Sequence, residues 1–206
     1  MPMRSKKNRF VFLCAAVIIV ALIFGCGRSV EKNASAKKTT DPGTLRSEVI
    51  RKISEKVIGG IPNSARLADI RKSGILRVAY PAEQSPFQSL DPALKLPVGF
   101  NPALAAEIAQ ILEVKTNNTI LPDQPGSKSP PQNWQSKYDL LFMPEGARGC
   151  PPENSIRYFY SGTGKGWKTI CAAGSGRELP DAVGEIMTYL NETGIFAQLY
   201  KTHVQP

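Results

Sequence analysis

The amino-acid sequence predicts an α/β fold in which a mostly parallel sheet is flanked by helices. Short apolar runs with the length of buried strands occur at residues 75–80, 119–121, 138–143 and 167–172. Segments with apolar residues every three or four positions lie between and around these runs, as expected for amphipathic helices. Strands that alternate with helices favour a mostly parallel sheet covered on both faces, and these observations set the predicted fold class.

The helices are predicted from apolar spacing and from the residues at their ends. Apolar residues repeat every four positions over 46–58, and a shorter helix is predicted over 64–72. The clearest helix starts at Asn101, a good N-cap, with Pro102 at the first helical position, where its missing N–H costs nothing. A final helical region is predicted over 180–200.

The N-terminus has the parts of an export signal: a basic start, an apolar run over residues 10–24, and small residues at its end. The run Ile23-Phe24-Gly25-Cys26 looks like a bacterial lipobox, in which the chain is cleaved before a cysteine that receives a lipid. We therefore predict a lipoprotein signal peptide over 1–25 and lipidation of Cys26. An uncleaved membrane anchor is the alternative. Both place the remaining chain outside the cytoplasm, on the periplasmic or extracellular face.

Two further segments follow the signal. Residues 26–45 are polar and lack large apolar side chains, which predicts a flexible tether. Residues 46–206 form the predicted α/β domain. The hydrophobic content of 42% over 206 residues is ordinary for a globular domain and excludes collagen-like and wholly disordered chains.

Charge and residue types exclude several classes of function. The net charge is +9, but no dense Lys/Arg stripe with interleaved aromatics occurs, so no nucleic-acid partner is predicted. The chain has one histidine, His203, which argues against a His-based catalytic or metal site. No Ser-His-Asp set and no phosphate loop is visible in the sequence, so we predict a non-enzyme without cofactor or metal.

Cys150 and Cys171 are the cysteines of the predicted exported domain. In an oxidising compartment an even pair favours a disulfide. Two reactive thiols or metal ligands are the alternative, which is weaker because neither cysteine has a neighbouring His or second Cys.

Side chains that follow the predicted strands are the first candidates for a binding site. Tyr80, Glu83 and Phe87 follow one strand, and Arg148 follows another. Ligands of open α/β sheets lie outside the carboxyl ends of the strands, so these loops are expected to face each other across a shallow crevice.

Five segments of the chain carry a recognisable set of motifs. The first is Leu67-Ala68-Asp69-Ile70-Arg71-Lys72-Ser73-Gly74-Ile75-Leu76-Arg77-Val78. The others are Ser85-Pro86-Phe87, Pro97-Val98-Gly99-Phe100-Asn101, Lys137-Tyr138-Asp139-Leu140-Leu141 and residues 177–201. In their order and spacing these segments resemble the family 3 periplasmic solute-binding proteins, the amino-acid-binding type, and the first is very similar to that family's opening. The resemblance implies a periplasmic-binding-protein-like lobe.

The sequence departs from this family in the second lobe. Only sixteen residues separate Ser161 from Glu178, where the family places most of that lobe. The resemblance therefore implies one lobe with a reduced or absent second lobe.

The ligand-binding motif also departs from the family. A family Pro-Glu-Arg segment grips the ligand carboxylate through its arginine, and here Asn154 takes the arginine position, with Arg148 or Arg157 as nearby substitutes. In the family the aromatic of the Pro-Phe pair packs against the ligand, which implies that role for Phe87. A loop-anchoring core aromatic is the alternative.

The resemblance implies an exported, lipid-anchored protein that binds a small polar, amino-acid-like solute for an ABC-type importer and its permease. The alternative is a one-lobe derivative that binds a protein partner or a second copy of itself, without solute. A domain of a cell-wall enzyme ranks last, because no catalytic constellation supports it.

Overall fold

The computed structural model describes six stretches of the chain, and every structural statement below concerns them: residues 42–60, 65–82, 87–122, 129–144, 147–160 and 167–205. The predicted signal peptide, the lipidation site Cys26 and Glu83 lie outside these stretches. Within them, no helix has both the length and the apolar character needed to cross a bilayer.

The described elements alternate between helices and strands. The helices are α1 Pro42–Gly60, α2 Ala65–Ser73, α3 Phe100–Ile111, α4 Trp134–Lys137, α5 Glu178–Glu192 and α6 Ile195–His203. The strands are β1 Ile75–Tyr80, β2 Ser89–Leu90, β3 Pro97–Val98, β4 Lys115–Ile120, β5 Leu140–Met143, β6 Ser155–Tyr160 and β7 Trp167–Ala172.

Five strands form one sheet in the order β4-β1-β5-β7-β6, and β2 and β3 form a separate antiparallel pair. β1 pairs in parallel with both β4 and β5, whereas β7 is antiparallel to β5 and β6. Four strands of the sheet therefore run in one direction and β7 runs against them. The predicted α/β class with a mostly parallel sheet is confirmed.

The two faces of the sheet are covered unequally. One face carries the main core, in which Leu76, Val78 and Tyr80 of β1 pack with apolar residues of α2, α3 and α5. The other face carries a small cluster that comprises Ala79, Trp134, Leu141, Met143, Cys171 and Ala173. Alternation along the strands produces this division, because successive side chains point to opposite faces. Among the described elements, only α4 and loops cover the second face.

Several boundaries differ from the sequence prediction. α1 begins at Pro42, so residues 42–45 of the predicted tether are helical, and proline suits a first helical turn. β4 begins at Lys115 rather than at residue 119. Its first residues are polar because the strand lies at the edge of the sheet, so the search for apolar runs does not detect them. β6 has no counterpart among the strands predicted from apolar runs.

An irregularity in β6 places two consecutive aromatic side chains in the main core. The pairing with β7 shifts between Arg157 and Phe159, which breaks the strict alternation of side chains. Tyr158 therefore contacts Phe142, with ring centroids 5.8 Å apart, while the Phe159 ring lies 5.3 Å from that of Tyr200 on α6.

Asp139 ties α2 and three strands together at the edge where β5 begins. Its side chain is fully buried, and its carboxylate accepts hydrogen bonds from the Arg77 backbone N–H at 2.8 Å and from the Arg77 guanidinium at 3.0 and 3.1 Å. Arg66 of α2 lies 2.8 Å from the same carboxylate. The Asp139 backbone also bonds to Arg77 of β1 and to Ala173 after β7. The hydrogen bond to Asp139 raises the pKa of Arg77.

Replacing Asp139 with Asn is expected to lower the free energy of unfolding by about 2–3 kcal/mol. Removing one partner of a buried pair costs roughly 3–5 kcal/mol, and this value is smaller because both arginines are partly exposed. Urea unfolding followed by tryptophan fluorescence measures the loss. Asp181→Asn is the matched control, because Asp181 forms an exposed pair with Arg177 and is expected to change stability by less than about 0.5 kcal/mol. Equal losses of unfolding free energy in the Asp139→Asn and Asp181→Asn variants would show that the buried carboxylate of Asp139 does not stabilise the fold.

A disulfide joins Cys150 to Cys171, as predicted, with the two Cα atoms 5.8 Å apart. Cys171 is fully buried on β7, and Cys150 lies in the loop that follows β5. The bond therefore holds this loop against the less covered face of the sheet.

Reduction of the disulfide is expected to lower the free energy of unfolding by about 3 kcal/mol, the chain-entropy value for a loop of this size. Urea unfolding with and without dithiothreitol measures the difference. The Cys150→Ala/Cys171→Ala variant is the control, and dithiothreitol should leave its stability unchanged. A similar response of the variant to reductant would show that the effect does not come from this bond.

Candidate functional site

The candidate site lies at the carboxyl edge of the sheet, where β1, β4 and β5 end at Tyr80, Ile120 and Met143. The three strands are parallel, so their ends and the loops that follow them meet at one edge. This is the edge at which open α/β sheets bind ligands.

Buried amide groups join Pro81, directly after β1, to Gln88, which lies just before β2. The Gln88 side chain donates to the Pro81 carbonyl at 2.8 Å and accepts from the Asn101 amide at 2.6 Å. Asn101 in turn accepts from the Tyr158 hydroxyl at 2.9 Å. Gln88 and Asn101 are each only 3% exposed. This set of hydrogen bonds, here called the amide ladder (Pro81, Gln88, Asn101, Tyr158), joins the loop after β1 to α3 and β6.

Asn101 does not cap α3, which corrects the predicted helix start. The N-cap residue is Gly99, and no side chain caps the helix. Asn101 lies inside the first turn, where its side chain is committed to the amide ladder and its backbone N–H donates to the Phe87 carbonyl at 2.7 Å. Asparagine has a high intrinsic preference for the N-cap position, but the buried hydrogen bonds of Asn101 with Gln88 and Tyr158 place it inside the helix instead.

Gly99 allows this close approach of two chain segments. Its φ is 114°, in a region that favours glycine, and a Cβ atom there would lie 3.0 Å from the Phe87 carbonyl oxygen. The glycine of the Pro97-Val98-Gly99-Phe100-Asn101 segment therefore lets α3 begin directly against Phe87 and Gln88.

The structure places Phe87 in an aromatic cluster. Its ring centroid lies 5.0 Å from that of Phe159 and 5.7 Å from that of Phe100. The Lys168 ammonium lies 4.5 Å above the ring, and the Phe87 residue is 8% exposed. Phe87 thus anchors the loop after β1 in the core, and its role as a ligand contact stays a prediction.

Tyr80 is also enclosed. Its ring stacks on Phe142 with centroids 5.2 Å apart, and its hydroxyl donates to the Asn118 side chain at 2.9 Å. Burial raises the pKa of the Tyr80 hydroxyl, so this group stays protonated and remains a hydrogen-bond donor.

The remaining predicted site residues are not brought together. Arg148 is exposed in the loop after β5. Asn154 lies just before β6, near the edge opposite to the end of β1, where its amide donates to the Gly174 carbonyl at 2.9 Å. The structure therefore gathers Tyr80 and Phe87 in one core and sets Asn154 apart from them.

Sequence reasoning missed Gln88, Tyr158 and Lys168. No local signal singles out Gln88, because its neighbours include the polar residues Ser85 and Ser89, and its partner Asn101 lies further along the chain. Lys168 is 9% exposed on β7, and only the tertiary contact with Phe87 shows why a cation occurs in a buried strand.

Other depressions lie away from this edge. One of about 570 Å³ is lined by Arg66, Trp134 and Gly174, among others. Another of about 590 Å³ lies between the start of β6 and α5. Within the described stretches, no group of three or more His, Cys, Asp or Glu side chains is placed to hold a metal ion.

Comparisons with known proteins bear on the fold. No protein-family model matches the chain, and no curated protein matches it. An ancestral cationic amino acid solute binding protein matches with a TM-score of 0.52 and 14% identity, over 68% of this chain and 99% of that chain. A mutant of ArgBP from T. maritima matches with a TM-score of 0.51 and 14% identity, over 68% of this chain and 100% of that chain. An ancestral cyclohexadienyl dehydratase matches with a TM-score of 0.50 and 14% identity, over 70% of this chain and 98% of that chain.

At 14% sequence identity these matches establish similarity of the fold alone. The five-stranded sheet and its flanking helices have the fold of a single lobe of the periplasmic binding proteins.

Proposed function

We propose that this chain is an exported, lipid-anchored binding protein, tethered at the cell envelope through Cys26. Its α/β lobe binds a small polar, amino-acid-like solute at the carboxyl edge of the sheet and delivers it to an ABC-type importer. The amide ladder is the observation that carries the proposal. It fixes Pro81 and Gln88, the described residues on either side of the loop after β1, by buried hydrogen bonds, and fixed ends favour a preorganised wall for a binding site.

Binding rather than catalysis is proposed because of the groups that the described edge offers. The similar structures include both solute-binding proteins and a dehydratase, so the fold alone is compatible with both. The Tyr80 hydroxyl is protonated and already paired with Asn118, and the ladder consists of neutral amides. Such groups orient a polar ligand but supply no general base.

Arg148 is the predicted cation that we propose meets a ligand carboxylate. It is exposed in the loop that follows β5. The Asn154 amide is already occupied by the Gly174 carbonyl, so Asn154 supports the loop that precedes β6 in this proposal. Glu83, Tyr80 and Phe87 remain proposed contacts of the solute.

A specific observation favours the alternative, a one-lobe protein that binds a partner or a second copy without solute. Tyr80 and Phe87, the two aromatic candidates, are buried within the lobe rather than displayed at its edge. A dimer formed across the carboxyl edge would supply the second wall of the cleft. Light scattering of the detergent-solubilised full chain distinguishes a monomer from such a dimer.

A ligand screen of the full chain tests solute binding. A solute at about 100 times its dissociation constant adds roughly 2.7 kcal/mol, which corresponds to a rise in Tm of about 5–10 °C for a domain of this size. We expect such a rise with an amino acid in differential scanning fluorimetry.

The Arg148→Gln variant should weaken the affinity for the solute about tenfold or more without lowering the Tm of the free protein. The matched control is Arg51→Gln at an exposed position on α1, which should change neither the affinity nor the Tm. No shift with any amino acid, peptide or organic acid would refute the proposal and favour the alternative.

Gly99→Ala tests the role of the amide ladder. The added Cβ would press against the Phe87 carbonyl, and the positive φ is unfavourable for alanine. We expect a lower Tm and a loss of solute affinity of about tenfold or more. Gly184→Ala on α5 is the matched control, because a Cβ there meets no atom within 4 Å, and it should bind normally with an equal or higher Tm. Normal solute binding by Gly99→Ala would show that the ladder does not shape the site.

A further inference from the structure

Four exposed apolar side chains project from the small antiparallel pair of β2 and β3. This segment, residues 89–98, is here called the leucine hairpin. In the described part of the chain five large apolar side chains are notably exposed, and four belong to it: Leu90, Leu94, Leu96 and Val98. Leu94 is 66% exposed and Leu96 is 54% exposed. The register pairs Leu90 with Pro97 and Val98 with Ser89, so Leu90 and Val98 lie on opposite faces of the pair, and Leu94 and Leu96 at the tip are the most exposed of the four. Exposed apolar side chains concentrated at one tip favour an interaction site there.

The tip of the leucine hairpin is held in one conformation. One Asp91 carboxylate oxygen accepts hydrogen bonds from the backbone N–H groups of Ala93 and Leu94, both at 2.8 Å. The Lys95 N–H donates to the Asp91 carbonyl, and the Asp91 N–H donates to the Leu96 carbonyl, both at 2.9 Å. Lys95 adopts a left-handed φ of 54°, an unfavourable conformation that these bonds maintain. The tip is therefore preorganised, and it loses little entropy on contact with a partner.

We propose that the leucine hairpin docks on the surface of an anionic phospholipid bilayer, with Leu94 and Leu96 entering the interface and Lys95 meeting the headgroups. Apolar side chains next to a cation suit this interface, where acyl chains and anionic headgroups adjoin. The docking rests on the proposed membrane anchor and is independent of solute binding.

The length of chain between the proposed anchor and α1 is compatible with contact between the hairpin and the bilayer. Fifteen residues lie between Cys26 and Pro42, and fully extended they span about 50 Å. A domain of this size is about 40 Å across, so a tether of this length is long enough for the hairpin to contact the surface. These fifteen residues include four cations, Arg28, Lys32, Lys37 and Lys38, against two acids, which favours an anionic surface next to the anchor.

A bilayer fits the patch better than a second copy of the chain. Specific protein interfaces bury about 800 Å² on each partner, and four partly exposed side chains on one hairpin supply far less. A weak contact suffices for a domain tethered to the same membrane, because tethering creates a high effective concentration. Both interpretations of the N-terminus, lipidated cysteine and uncleaved anchor, provide that tether.

Tryptophan quenching by brominated lipid tests the docking. The full-length Leu94→Trp variant is reconstituted into phosphatidylglycerol vesicles with bromine on the acyl chains, and the wild-type protein supplies the background from its own tryptophans. We expect the added tryptophan to be quenched at least threefold more than one introduced by Gln198→Trp, an exposed position on α6. Adding Leu96→Asp to Leu94→Trp should return quenching to the Gln198→Trp level. Both positions are exposed, and an unchanged Tm confirms that the variants are folded.

Three results would contradict the proposal in whole or in part. Equal quenching of the Leu94→Trp and Gln198→Trp variants would show that the hairpin stays away from lipid. A blue shift of the Leu94→Trp emission that depends on protein density, without bromine quenching, would assign the patch to a second copy. Equal quenching in phosphatidylcholine and phosphatidylglycerol vesicles would refute the anionic preference. The Leu96→Asp variant should keep its Tm shift with solute, so failure of docking and failure of solute binding are distinguishable.

Discussion

The buried carboxylate of Asp139 is the constraint on which the rest of the structure depends. It has no contact with solvent, and Arg77 and Arg66 surround it from β1 and α2. A buried charge is tolerated only when it is paired and hydrogen-bonded, so one arrangement of these segments satisfies it. The backbone of Asp139 also bonds to Arg77 and Ala173, which aligns β1, β5 and β7 at one edge. Because the strands are aligned at this edge, the ends of β1 and β5 are also aligned at the opposite edge, where the candidate site lies.

The main core of the described lobe is closed by the lobe's own helices. α2, α3 and α5 cover one face of the sheet, and Phe159 and Tyr200 extend the packing to α6. The other face lacks a long helix among the described elements, and there the disulfide of Cys150 and Cys171 holds a loop in place of one. A covalent bond restricts the unfolded chain and thus offsets the smaller apolar area buried on this face.

Neutral amides, rather than charges, organise the candidate site. Gln88 and Asn101 are buried, and their hydrogen bonds link the loop after β1 to α3 and β6. Buried polar groups need specific partners, so they select one placement of Pro81 and Gln88 relative to α3 and β6, where apolar packing alone would allow several. The same region continues into the leucine hairpin, whose rigid tip displays the apolar side chains that the core does not use.

The sequence by itself determined the α/β class, the buried strands, the principal helices and the cysteine pair, because apolar periodicity and cysteine spacing are local or countable properties. Only the tertiary structure determined which partners the individual side chains contact. Asn101 has the local properties of a helix cap but pairs with Gln88 and Tyr158, and Phe87 is enclosed by Phe159 and Phe100. Polar β4 becomes an edge strand only through its register with β1. These outcomes depend on contacts between residues far apart in the chain, and no local pattern encodes the free energy of such contacts.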